Sequence, residues 1–300
     1  MRQISPILSV CLITYNHGKY VRKALDGIFS QKVNFPMEVI IADDCSTDNT
    51  REIILEYYEK YSSIIRLIFQ DKNIGPAENW YQLMKSPAGK YIAYFEGDDY
   101  WTDPLKLQKQ IDFLEQNPSY AISFHDVREI DLDGTTIRKL PIQKLKEDLT
   151  LYDLVSTNFI PTVSAVFRNY VTDYDFIMQA PIGDYLLHIS NAMHGPIRYH
   201  KEIMAAYRTN SGVFSSIKKY KQREKIVRTL NIVLKKFVLE KLIVNKIEHQ
   251  RNNLLFLIFK EKKKENFSKE IKAMLFGNEQ YDDLSFQLRM KFLLKSFFVN

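Results

Sequence analysis

Residues 89–99 read Gly89-Lys90-Tyr91-Ile92-Ala93-Tyr94-Phe95-Glu96-Gly97-Asp98-Asp99. The apolar run Tyr91 to Phe95 is too short for a helix and stops on three carboxylates with a glycine among them. Such a pattern predicts a buried strand that leaves the interior at Gly97, where the missing side chain lets a ligand come close to the backbone. The same grammar recurs upstream. Ile7 to Thr14 (ILSVCLIT) stops at Tyr15-Asn16-His17-Gly18, Met37 to Ala42 (MEVIIA) stops at Asp43-Asp44, and Ile64 to Phe69 reads as a third strand. Helical segments lie between them. Tyr20 to Gln31 carries Val21, Ala24, Leu25 and Ile28 on one face; a second helix, capped by the Asp43 to Asp48 cluster, runs to Tyr61; a third opens at Pro76 and carries Trp80 and Leu83. Asp103-Pro104 then opens a helix from Leu105 to Glu115, Asn117-Pro118 stops it, and Ala121 to Phe124 forms a fifth strand. Strands alternating with helices predict right-handed βαβ crossovers and an α/β fold whose mostly parallel sheet is flanked by helices. Functional groups then belong at the carboxyl ends of the strands, where the polar clusters fall.

Past Gly134 the pattern loosens. Pro161 to Arg168 is the clearest strand there, Gly183-Asp184 leads a helical run to Met193, and Ile197 to Tyr207 supplies one or two strands around a turn. Beyond Ser216 the period is helical, with Ile226, Leu230, Val233, Leu234, Phe237, Val238 and Leu242 on one predicted face. Two regions are therefore expected, 1–216 and a helical 217–300. Charge divides at the same place. The 300 residues carry a net +6, but residues 217–300 hold 20 Lys and Arg against 9 Asp and Glu, a net of +11, leaving −5 on the first 216. The basic region reads either as the solvated faces of packed helices or as a peripheral contact with an anionic membrane, through stretches such as Leu254 to Lys264 and Phe292 to Phe298. No nucleic-acid module accompanies the charge, so nucleic acid is not an expected partner.

Cys11 and Cys45 cannot build a disulfide framework, the N-terminal stretch lacks signal-peptide form, and no apolar run nears the ~20 residues of a spanning helix. The expectation is a cytoplasmic protein, at most peripheral at the inner face of the plasma membrane.

Four carboxylates stand out at strand ends or helix starts: Asp44, Asp98, Asp99 and Asp184. Each alone also fits an N-cap or a turn, so their coincidence carries the inference. Carboxylates gathered together repel unless a cation sits among them, and hard oxygen donors suit Mg²⁺ or Mn²⁺, which in turn favours a polyphosphate. The six histidines show no metal-binding helical spacing, so zinc is not expected. His125 reads as a structural histidine with a secondary claim on an acceptor site. No G-x-G-x-x-G follows the first strand and no G-x-x-x-x-G-K-S/T occurs, so dinucleotide redox chemistry and P-loop hydrolysis lack their loops.

Val10 to Asn16, then Val39 to Thr50, then Asn73-Ile74-Gly75 with Asn79, then residues 89–99 agree in order and spacing with a known pattern. Over residues 5 to about 215 the chain resembles the family 2 glycosyltransferases of the GT-A fold, a Rossmann-like nucleotide-diphospho-sugar transferase architecture, here followed by a C-terminal helical region. The resemblance implies that Thr14, Tyr15, Asn16 and Asp44 hold the nucleobase. It implies that Asp98 and Asp99 hold the ribose and a Mn²⁺ or Mg²⁺ ion on the diphosphate, Asp99 being the expected metal ligand. Ile182 to Leu187 resembles the helix start whose acidic residue is the general base, which assigns Asp184. Met204 to Asn210 resembles a motif near the diphosphate, with Asn210 where relatives often have histidine, a weaker ligand for a divalent ion. Glu96 departs in the same way, many relatives having Asp. Trp101, Lys72 and Arg208 are candidate donor or acceptor contacts, against plainer readings of Trp101 as sheet-edge packing and Lys72 as a solvated loop residue.

The implied activity is metal-dependent, inverting transfer of a hexosyl or N-acetylhexosaminyl group from a nucleoside-diphosphate donor, UDP-linked, to a saccharide or lipid-linked saccharide in surface polysaccharide assembly. Two alternatives stay open: a sugar nucleotidyltransferase of similar fold, and a non-catalytic domain that binds a glycan or a partner, which Glu96 and Asn210 favour.

Overall fold

The computed structural model describes residues 5–140, 145–170, 173–209, 217–265, 284 and 286–298. The elements run β1 (Leu8–Thr14), α1 (Val21–Phe29), β2 (Met37–Asp43), α2 (Thr50–Tyr61), β3 (Ile65–Phe69), α3 (Pro76–Met84) and β4 (Tyr91–Glu96). There follow β5 (Tyr100–Trp101), α4 (Lys106–Gln116), β6 (Ile122–Ile130), β7 (Thr136–Leu140), β8 (Asp148–Leu149) and α5 (Leu151–Leu154). A 3₁₀ turn (Thr162–Ser164), β9 (Val166–Arg168), α6 (Tyr174–Ile177), α7 (Gly183–Ala192) and β10 (Ile197–Arg208) come next. The helices α8 (Lys219–Lys236), α9 (Lys241–Glu265) and α10 (Phe286–Phe298) end the order.

One sheet takes the order β3-β2-β1-β4-β9-β6-β10-β5, with β7 on β6 and β8 on β10. Its first half, β3-β2-β1-β4, is wholly parallel, as the apolar strands separated by helices predict. In the second half β6 and β10 are parallel, whereas β9, β5, β7 and β8 pair antiparallel with their neighbours. Leu8, Val10 and Leu12 of β1 are fully buried, as are Val21, Ala24, Leu25 and Ile28 of α1, whose i, i+3, i+4, i+7 spacing turns one face inward. Gly27 on that face lies against β5: a Cβ there would sit 2.9 Å from the backbone nitrogen and oxygen of Trp101.

Of the one or two strands expected from Ile197, the chain forms one, the 12-residue β10, whose irregularity is absorbed as bulges against β6 between His200 and Ala205. One expectation is corrected. The predicted face from Ile226 to Leu242 breaks at Phe237, which is extended (φ −99°, ψ 139°) and ends α8; Val238 and Leu242 are 99% and 61% exposed instead of buried.

The chain divides into two compact units, 1–179 with 183–212 and 180–182 with 213–300. Within the second, α8 and α9 pack along Val227, Leu230, Val233, Ile247, Leu254 and Ile258, and ion pairs Arg223–Glu261 and Lys262–Glu224 join them. In the Leu254 to Lys264 stretch Leu254, Leu255, Ile258 and Phe259 are buried, whereas Leu257 is exposed. No helix among the described residues is long and apolar enough to cross one.

Candidate active site

The parallel register sets Thr14 beside Asp43 and Ile13 beside Glu96, so the carboxyl ends of β1, β2 and β4 share one edge. Two loops there are tied together. The Asn16 N–H donates to Ser46 Oγ (2.8 Å), Asn16 Oδ1 accepts from the Thr47 N–H (2.8 Å), and the Gly18 N–H donates to Asp48 Oδ2 (2.9 Å). Asn16 and Cys45 both adopt positive φ, 53° and 58°, at the points where the chain must turn sharply. Asn16 thus spends its side-chain oxygen on the loop, and Tyr15, 43% exposed, faces outward from it. Asp43 is held by Arg51 and Ser46. Asp44, also buried, accepts the Ile74 N–H at 2.7 Å, which draws the Asn73-Ile74-Gly75 segment to the same edge.

Gly97 brings the exit of β4 against β1. A Cβ at this position would lie 3.0 Å from Thr14 Oγ1 and 3.1 Å from His17 Nδ1. Those two atoms and Asp98 Oδ1 are buried with no hydrogen-bond partner. His17 has no sequence spacing that marks it as a site residue; its place directly after β1 was the only signal. Burial holds its imidazole below the usual range against the pull of Asp98, Asp48 and Asp43.

Asp99 is 3% exposed and its Oδ1 accepts the Arg208 N–H at 2.7 Å. Burial, with Asp98 beside it, pushes its carboxyl well above the usual carboxylate range. Glu96 is exposed at the end of β4, yet the desolvating atoms packed around it, then Asp98, then Asp184 push its carboxyl up to about 7. Asp184, brought from the far side of the sequence by the first turn of α7, is oriented by Thr162 Oγ1 donating to Oδ2 (3.0 Å) and by the Tyr185 N–H donating to Oδ1 (2.7 Å). One turn along α7, His188 is buried and held down to about 4, and so stays neutral near pH 7. Glu96 is therefore influenced both by Asp98 in its own loop and by Asp184 from α7.

Arg208 looks different in place, while Trp101 takes the sheet-edge packing and His125 the structural position that were read for them. Trp101 is 4% exposed, donates through Nε1 to the Val163 carbonyl (2.9 Å) and packs on Phe95, which removes it from sugar stacking. The Arg208 guanidinium donates to the carbonyls of Asp98 (3.1 Å), Asp131 and Leu132 (2.9 Å) and lies 4.1 Å from the Tyr20 ring centre, so it ties the β6–β7 hairpin to Asp98 instead of facing a donor. His125 is fully buried and bonded to the Asp126 carbonyl, a structural position. Lys72 is exposed on the loop after β3. Asn210 lies outside the described residues.

A divalent cation fits this donor set. Among the described residues no three His, Cys, Asp or Glu side chains form a closed metal cage. Mg²⁺-like ions are ordinarily held by one or two carboxylates, with water and substrate phosphate oxygens completing the shell. Asp98 carries the buried oxygen without a partner, whereas an oxygen of Asp99, the expected ligand, already serves the Arg208 N–H.

The model of the family described as "Glycosyl transferase family 2" matches residues 9–174. An uncharacterised protein of Mycobacterium tuberculosis is 40% identical over 223 residues, 74% of this chain and 64% of that protein, so the match spans under two thirds of the relative's length. Among solved structures, S. aureus TarS 1–349 in complex with UDP aligns at TM-score 0.59 and 18% identity, covering 91% of this chain and 76% of TarS. The mannosyltransferase PcManGT from Pyrobaculum calidifontis, in complex with GDP-Man and Mn²⁺, aligns at TM-score 0.61 and 13% identity, covering 98% and 88%.

Proposed function

The chain belongs to glycosyl transferase family 2 and has the GT-A fold, and from that premise we propose that it moves a sugar, with inversion, from a UDP-linked donor to a saccharide or lipid-linked saccharide hydroxyl in surface polysaccharide assembly. The observation that supports this reading is that Asp184, oriented by Thr162 and the Tyr185 N–H at the start of α7, acts electrostatically on Glu96 at the carboxyl end of β4, as Asp98 does. The fold neighbours carry UDP in one case and GDP-Man with Mn²⁺ in the other, which supports a nucleotide-sugar donor.

On this reading Thr14, Tyr15 and Asp44 frame the nucleobase, with Asn16 shaping the loop that presents Tyr15. Asp98 and Asp99 form the ribose and diphosphate end, and Asp98 Oδ1 is the first protein ligand for Mn²⁺ or Mg²⁺. When bound, that ion neutralises the charge that grows on the departing nucleoside diphosphate. Asp184 takes the proton of the acceptor hydroxyl as the new bond to the anomeric carbon forms. Thr162 and the Tyr185 N–H fix its two oxygens. Residues 1–216 form the catalytic part and 217–300 an appendage, in a cytoplasmic enzyme held peripherally at the inner face of the plasma membrane by its basic helices.

The test is a panel of UDP- and GDP-sugars with Mn²⁺ or Mg²⁺, read as nucleoside diphosphate released, beside UTP or GTP with sugar 1-phosphates, read as pyrophosphate released. UDP release that needs the metal and falls at least ~10²-fold in Asp98→Ala is expected. Pyrophosphate released from the nucleoside triphosphate and sugar 1-phosphate pair would mean nucleotidyl transfer, and nucleotide binding absent with and without metal would mean a non-catalytic domain.

A further inference from the structure

The turn between α8 and α9 is built unlike the rest of the helical unit. Farther along, the two helices bury Val227, Leu230, Leu254, Leu255 and Ile258 and are stapled by Arg223–Glu261 and Lys262–Glu224. At the turn the apolar side chains point outward. Val238 is 99% exposed and Leu242 61%, the two most exposed of the large hydrophobic residues among those described. Exposed Lys235, Lys236 and Lys241 flank them, against one exposed carboxylate, Glu240. Phe237, extended, ends α8 and swings Val238 out of the packed interface.

A water-exposed apolar tip costs hydration free energy unless something covers it. Three lysines around that tip would repel a basic partner, and they match a surface that is anionic outside and apolar beneath. We propose that the α8–α9 turn, residues 235–242, docks on an anionic lipid bilayer, with Val238 and Leu242 entering the acyl boundary and Lys235, Lys236 and Lys241 at the phosphates. It places the contact at the turn rather than in the Leu254 to Lys264 stretch, where Leu254, Leu255, Ile258 and Phe259 are buried and Leu257 is less exposed than Val238 or Leu242. It deepens the peripheral reading above and is independent of the transfer chemistry.

The experiment uses the full chain with Val238→Trp. The native Trp80 and Trp101 are 8% and 4% exposed, so a tryptophan at 238 is the one whose emission can change on insertion. Phosphatidylglycerol vesicles should shift its emission to the blue, phosphatidylcholine vesicles should not, and salt should reverse the shift. Val238→Asp with Leu242→Asp should lower the fraction sedimenting with phosphatidylglycerol vesicles at least tenfold while metal-dependent release of nucleoside diphosphate is unchanged. An emission that does not move while the protein still sediments would overturn the proposal. So would a blue shift that grows with protein concentration without lipid, since the tip would then be covered by a second copy. Loss of nucleotide chemistry in wild-type protein, with tip insertion intact, would instead count against the transferase reading alone.

Discussion

Glu96 touches water yet sits among Asp98 and Asp184, and its carboxyl is pushed up from 4.5 to about 7. Between those values the folded chain holds a proton that the unfolded chain has lost, so folding stability falls as pH rises through that window. Asp99, raised by burial, contributes in the same direction. Thermal unfolding without divalent ions should therefore show a midpoint that drops from about pH 5 to about pH 8, and Glu96→Gln should flatten that slope while leaving the part due to Asp99. An equal slope in both proteins would show that Glu96 is not part of a crowded acidic cleft. The acidic residues were legible because a carboxylate after an apolar strand is conspicuous in any reading. His17 and Arg208 were not, because their roles depend on partners far along the chain, Gly97 for His17 and Asp98, Asp131 and Leu132 for Arg208, whereas the sheet-edge packing of Trp101 was one of the two readings its sequence offered.

Helix α4 contains a lysine where its apolar face turns inward. Lys106 is fully buried, donates to Gln110 Oε1 at 2.8 Å and lies 4.3 Å from the Trp101 ring centre, while burial alone holds its amine well below the usual range. Gln110 in turn reaches the carbonyls of Ser123 and Ser164, joining α4 to β6 and the 3₁₀ turn. Lys106→Met keeps the stem and removes a buried amine that no carboxylate accompanies. Denaturant unfolding should show it more stable by about 1–3 kcal/mol, the range for replacing buried ionic groups with apolar ones. A loss of stability would mean that the ring and the Gln110 bond outweigh desolvation. Short apolar runs foretold β1 to β4 to within a residue or so, because a parallel strand buried on both faces must be apolar throughout. β6 was expected to end at Phe124 but continues through His125, Asp126, Arg128 and Glu129 to Ile130, since its ladder with β10 satisfies the backbone whatever the side chains. The end of α8 at Phe237 was likewise unreadable, as no Gly or Pro marks it.

For the whole molecule, the net +6 separates into −5 over residues 1–216 and +11 over 217–300. Part of the acidity lies at one sheet edge, where Asp98 and Asp184 act on Glu96 and Asp98 acts on Asp99, repulsion that a cation and a diphosphate would relieve. Part of the basicity flanks an exposed apolar turn. That division was visible in the sequence; which apolar residues lie bare was not, because helical periodicity continues across a turn that interrupts the helix. The central claim is that Asp184 is the base of a sugar transfer whose nucleotide is held elsewhere, by the ends of β1, β2 and β4. It is tested most directly by measuring UDP affinity and sugar transfer on one preparation of Asp184→Asn. The account predicts Mn²⁺-dependent UDP affinity within about twofold of wild type and transfer lower by about 10²–10⁴-fold, the span of general-base catalysis. Transfer that stays within about tenfold of wild type would contradict it.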